Sequence, residues 1–145
     1  MPNVNKSALV PYSAKEMYDL VVDIPAYSVF LPWCGDAEVL SVNGDEVTAR
    51  LDLAYKGIHK SFTTVNRNQA GKMVEMRLQE GPFKYLEGFW RFESLREDAS
   101  KVLLDLNYEF SSRILQMTVG PVFGEVANRL VDAFCQRAVD VYGKR

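Results

Sequence analysis

The sequence predicts an α+β domain in which one curved antiparallel sheet of roughly seven strands is covered by a single long C-terminal helix. Three observations predict it. Residues 37–110 alternate apolar and polar side chains with the period of strands and are broken only by turn residues. Val119 to Tyr142 then carries helical periodicity without interruption. Between the first strand and the long strand-rich stretch, residues 13–30 hold short helical patterns. At 145 residues, 48% apolar and 25% charged, the chain is one domain, residues 1–145, with enough apolar material for a sizeable core.

Asn3 to Val10 is predicted as an edge strand closed by Pro11. Ser13-Ala14-Lys15-Glu16 has the spacing of a capping box, in which the serine accepts from an early helical amide and the glutamate reaches back. Ala14, Met17, Tyr18, Val21 and Val22 follow with helical spacing, and Pro25 ends that helix or begins a second short one that Pro32 stops. Asn43-Gly44 marks a tight hairpin. Beyond it, Val47, Ala49, Leu51 and Leu53 share one strand face while Thr48, Arg50 and Asp52 take the other. Ile58, Phe62 and Thr64 continue the inner face, the Asn68–Gly71 turn follows, and Val74, Met76 and Leu78, then Leu86, Trp90 and Phe92, then Val102 to Phe110 complete the sheet. Short turns make it an antiparallel meander. Val119, Phe123, Val126, Leu130, Phe134 and Val141 form the predicted covering face of the last helix, which at about 1.5 Å per residue is roughly 35 Å long. A straight rod fits a curved sheet poorly, so an apolar cavity between them is expected.

Charge and cysteine content exclude several functions. With 17 Lys and Arg against 19 Asp and Glu, the net charge of −2 gives no global attraction to DNA, RNA or anionic lipid. Cys34 and Cys135 are too few for a disulfide framework, and no metal-ligand spacing is present, so no metal is expected. The N-terminal residues carry no signal-peptide run, and no stretch of eighteen apolar residues occurs, which predicts a cytoplasmic protein. No catalytic residue is assigned. His59 is the sole histidine and has no partner at legible spacing, and Ser13 is explained as a cap.

Phe30-Leu31-Pro32-Trp33-Cys34, Phe62-Thr63-Thr64, Gly81-Pro82-Phe83, Trp90-Arg91-Phe92 and Val122-Phe123, followed by Ala133 to Ala138, occur in an order and spacing that resemble the coenzyme Q-binding START-like family. That family lies within the wider polyketide cyclase and lipid-transport superfamily and includes bacterial ribosome association toxins. The resemblance implies a START/Bet v 1-like helix-grip fold with a hydrophobic tunnel. It also implies two functions. One is non-catalytic binding of ubiquinone or a related prenyl lipid in support of respiration, as a bound ligand and not a required cofactor. The other is binding to the large ribosomal subunit so that the subunits fail to join. The missing mitochondrial leader favours a bacterial member, with transient contact at the inner membrane where a lipid would be loaded.

The expected tunnel lining is Phe30, Trp33, Phe62, Met76, Trp90, Tyr108, Phe123, Leu130 and Phe134. Each of these also fits a plain core position, and Pro32 fits a loop that only caps the core. Lys60 shares the parity of Ile58 and Phe62, which turns an ammonium toward the apolar face. It snorkels out at the tunnel mouth, a bulge reverses it, or it donates to a ligand carbonyl. Arg50, Arg67, Arg77 and Arg91 fall on the outer face among Asp52, Glu75, Glu87 and Glu93, the mixture of an ordinary solvated sheet or of a weak RNA patch.

Overall fold

The computed structural model describes residues 3–145. Seven strands form one antiparallel sheet in the order β1-β7-β6-β5-β4-β3-β2. They are β1 (Asn3–Val10), β2 (Cys34–Asn43), β3 (Glu46–Tyr55), β4 (Ile58–Gln69), β5 (Met73–Glu80), β6 (Phe83–Arg96) and β7 (Ala99–Phe110). Strands β2 to β7 are the expected meander, and β1 is an edge strand that returns to pair with β7. Helix α1 (Ala14–Val22), one 3₁₀ turn (Ile24–Ala26) and α2 (Tyr27–Phe30) link β1 to β2, while α3 (Arg113–Thr118) and α4 (Gly120–Tyr142) follow the sheet.

Local chemistry explains these boundaries. Ser13 Oγ accepts from the Glu16 amide at 3.0 Å and Glu16 Oε1 accepts from the Ser13 amide at 2.9 Å, completing the capping box. The β2–β3 turn holds Gly44 and Asp45 as its two loop residues, with positive φ (65°) at Gly44 alone. That is the II′ pattern, in which the first loop position needs glycine. On β7 the alternation is complete, with Ser100, Val102, Leu104, Leu106, Tyr108 and Phe110 inward. Five register shifts interrupt the ladders, and such bulges bend a strand and raise its twist. One lies between Phe83 and Tyr85 and lets Phe83 face the core together with Leu86, three residues on. Close approach adds to the curvature: a Cβ at Gly88 would stand 2.2 Å from the Asp105 carbonyl oxygen, so only glycine lets β6 and β7 meet there.

Two expectations about the last helix change. Within residues 111–118, left without an element by periodicity, Arg113–Thr118 form α3, whose N-cap Ser112 accepts from the Leu115 amide at 3.2 Å. The covering face of α4 runs through Phe123, Val126, Ala127, Val131, Phe134 and Ala138, and Val141 is 48% exposed. A four-residue step from Ala138 reaches Tyr142 instead, whose ring lies 5.9 Å from Tyr12 and whose hydroxyl donates to the Glu16 carbonyl. The end of α4 is thereby tied to the start of α1.

Candidate functional site

Between the concave sheet face and α4 lies a cavity of about 80 Å³. Two aromatic clusters bound it. At one end Phe62, Phe83, Tyr108, Phe110 and Phe123 pack with ring centroids 4.7 to 6.3 Å apart. Toward the other end Phe134 meets Trp90 at 5.2 Å, Phe30 at 5.2 Å and Tyr27 at 5.5 Å. Edge-to-face contact dominates in both, the arrangement that aromatic quadrupoles favour. Between the clusters, Ala49 on β3 and Ala127 on α4 present methyl groups where longer side chains would fill the space. Both alanines are among the residues that line the cavity.

Trp33, Phe62, Met76, Trp90, Phe123, Leu130 and Phe134 all line this space. Tyr108 and Phe30 do not. Each stands one ring behind the lining, Tyr108 at 4.7 Å from Phe123 and Phe30 at 5.2 Å from Phe134. Phe30 is also covered from outside by the Arg137 guanidinium, 4.9 Å from its centroid.

Lys60 has the inward parity, opposite buried Leu53, and no bulge interrupts Ile58 to Phe62 in the β3–β4 ladder. It is nevertheless exposed and outside the lining, because it sits near the open end of β4, where the side chain reaches water. The polar groups in the cavity belong instead to Thr64 and Asn66, four and six residues further along the same face. Thr64 is 6% and Asn66 9% exposed, and the threonine hydroxyl donates to Asn66 Oδ1 at 3.0 Å. Parity places Thr64 on the inner face with Phe62, and Asn66 shares that parity, a signal that its polar side chain masks. Ile24 and Tyr27 close the space from the β1–β2 connection, a contribution that short helical segments did not advertise. Burial pushes the Tyr27 hydroxyl well above its ordinary pKa, and that hydroxyl donates to the Val21 carbonyl.

Acid–base chemistry has little to work with here. Burial raises the Cys34 thiol to about 11 and Cys135 in the same direction, so both are thiols at neutral pH. His59 is exposed on β4. Among the described residues no group of three His, Cys, Asp or Glu is placed to hold a metal ion.

A second hollow of about 460 Å³ lies outside, between the Leu31–Trp33 turn and α4, and carries Glu125, Arg129 and Asp132 at its rim. Trp33 and Val126 belong to both hollows and form the wall between them. A small chamber and a separate groove thus replace the expected continuous tunnel. On the outer sheet face, Arg50 lies 3.1 Å from Asp36, 3.2 Å from Glu38 and 3.4 Å from Asp52, Arg67 faces Glu46, and Arg77 faces Glu75. No helix among the described residues is long and apolar enough to cross a membrane.

A curved antiparallel sheet that grips one long helix around an apolar chamber defines the helix-grip class. Residues 10–135 match the family described as polyketide cyclase / dehydrase and lipid transport, and the chain belongs to it. The chain is 42% identical over 141 residues to the ribosome association toxin RatA of Pseudomonas aeruginosa, covering 97% of this chain and 98% of that one. It is 28% identical over 145 residues to the mitochondrial coenzyme Q-binding protein COQ10 homolog B of Xenopus laevis, covering 97% of this chain and 59% of that one. A START superfamily protein from Mycobacterium smegmatis superposes with a TM-score of 0.81 at 24% identity, covering 96% and 98%.

Proposed function

We propose that the protein binds a hydrophobic, quinone-like prenyl lipid between sheet and helix, without catalysis, and carries or shields it in support of respiration. The observation that carries this reading is the apolar chamber walled by aromatic rings and lined between them by Ala49 and Ala127. Apolar burial, worth about 25 cal/mol per Å² before ordering costs, would supply the affinity. The family description, which includes lipid transport, and the coenzyme Q-binding relative support the choice of ligand. Cysteines held as thiols and an exposed lone histidine support a binding role over an enzymatic one. The site of action is the bacterial cytoplasm, with transient contact at the inner membrane to load lipid.

A second reading is favoured by the relative named ribosome association toxin, which matches nearly end to end. In that reading the protein acts through its surface on the large ribosomal subunit and blocks subunit joining. The carboxylates around Arg50, Arg67 and Arg77 speak against the outer sheet face as an RNA contact, since paired guanidiniums release fewer counterions on binding phosphate.

Native mass spectrometry of protein purified from bacterial cells, followed by organic extraction, separates the two. A stoichiometric prenylquinone is the expected result. An empty protein that refuses added quinone and co-sediments with large ribosomal subunits would overturn the container reading in favour of the second.

A further inference from the structure

We infer that Asn66 is the head-group recognition residue of the cavity and selects a neutral ligand bearing a carbonyl oxygen. This rests on the container reading above and goes beyond it by naming the atom that reads the ligand. Asn66 is 9% exposed, points from β4 into the chamber, and its Oδ1 is occupied by the Thr64 hydroxyl at 3.0 Å. That hydrogen bond orients the carboxamide. It leaves the Nδ2 amino group, with two N–H donors, making no side-chain hydrogen bond among the described residues and still accessible to a small polar partner. An accessible, unpartnered donor on an otherwise apolar lining is the place where a polar atom of a ligand gains most by docking.

The surroundings narrow the acceptor. No Lys, Arg or His lines the cavity, so a carboxylate or phosphate would be buried there without a counter-charge. A neutral oxygen escapes that penalty. The Trp90 ring belongs to the same lining and offers an aromatic surface to an unsaturated ring. A carbonyl on a flat ring meets both features, with the donor at its oxygen and aromatic surface against its body. The apolar tail then runs away from Asn66.

The test compares two probes in native mass spectrometry competition: a decyl-substituted dimethoxy-methyl-benzoquinone, and a decylbenzene with matched alkyl groups and no oxygen. The protein should prefer the quinone by roughly tenfold, the size of one hydrogen bond gained by the ligand. Myristate at neutral pH should compete no better than the hydrocarbon. Asn66→Leu should abolish the quinone preference while keeping hydrocarbon binding, and an undiminished preference in that variant overturns the inference. Infrared spectra of carbonyl-labelled quinone bound to the unaltered protein give a second readout that needs no variant. The carbonyl stretch should fall relative to quinone in alkane, and an unshifted band also overturns the inference. Failure of the container reading looks different: neither probe binds the unaltered protein at all.

Discussion

At the scale of single residues, the site is made as much by small side chains as by large ones. The aromatic rings attract attention in the sequence, but Ala49 and Ala127, each 1% exposed, line the cavity beside them. Ala127→Leu therefore puts an isobutyl group into existing room. Overpacking a filled core costs about 1–3 kcal/mol, and less is expected where a void receives the added atoms. The variant should keep its melting temperature within a few degrees yet lose at least about tenfold in quinone affinity by titration, as its void is filled. Normal quinone affinity in a folded Ala127→Leu protein would remove the chamber as the binding site. Lys60→Ala makes the matching control and should leave affinity unchanged, because its ammonium lies outside the lining. Inward parity is a necessary condition for contact with the cavity, and the distance of a residue from the strand end decides the rest.

At the scale of elements, the last helix is fastened to the first by a clasp that also depends on pH. Arg145 holds Glu16 with two contacts of 2.7 Å and lies 4.9 Å above the Tyr12 ring, and the Tyr12 hydroxyl donates to the Gly143 carbonyl at 2.6 Å. The Arg145 guanidinium first, and the Ser13 amide second, lower the Glu16 pKa to about 2. A carboxylate with a depressed pKa contributes stability that is complete above its ordinary value of 4.5 and is lost as the pH falls through about 2. Solvent screens this partly exposed pair, so the contribution is modest. Arg145→Ala should raise the Glu16 pKa toward, though not to, its ordinary value, because the Ser13 amide still donates to it. Carboxyl resonances followed by NMR titration read this directly. The stability advantage of the unaltered protein at neutral pH should lose its pH-dependent part near pH 2. Equal Glu16 titration in both proteins would show that the clasp does not act on the capping box. The capping box was legible in four consecutive residues, but its engagement by the chain end was not, since 129 positions separate Glu16 from Arg145.

At the scale of the whole molecule, what the sequence made legible follows from periodicity, and what it hid follows from chain crossings. Period-2 alternation from Val47 to Phe110 was enough to read the strands and, where no register shift intervenes, most of the residues that face inward, as the unbroken pattern of β7 shows. Register shifts such as that between Phe83 and Tyr85 carry no local mark, so the inward turn of Phe83 and the curvature they produce were invisible. The same holds for the size of the cavity, set by which side chains of α4 meet which of β3. About 80 Å³ is well below the roughly 300 Å³ at which small-molecule pockets begin, so a prenyl tail must move part of the wall. Two residues are shared by the chamber and the outer groove, and they differ in freedom. Val126 is fixed on the long helix, whereas Trp33 sits in the turn between α2 and β2. The Trp33 backbone is held, its carbonyl accepting from the Ala54 amide at 2.8 Å, so a swing that opens this wall would fall to its indole. If that swing limits exchange, Trp33→Ala should speed quinone uptake and release together, each by about tenfold for every 1.4 kcal/mol removed from the barrier. Affinity should change much less than either rate. Stopped-flow mixing with quinone, read by quenching of tryptophan fluorescence, which in the variant comes from Trp90 alone, measures both directions. Faster release with unchanged uptake would make Trp33 a contact surface for the ligand and place the route through another wall.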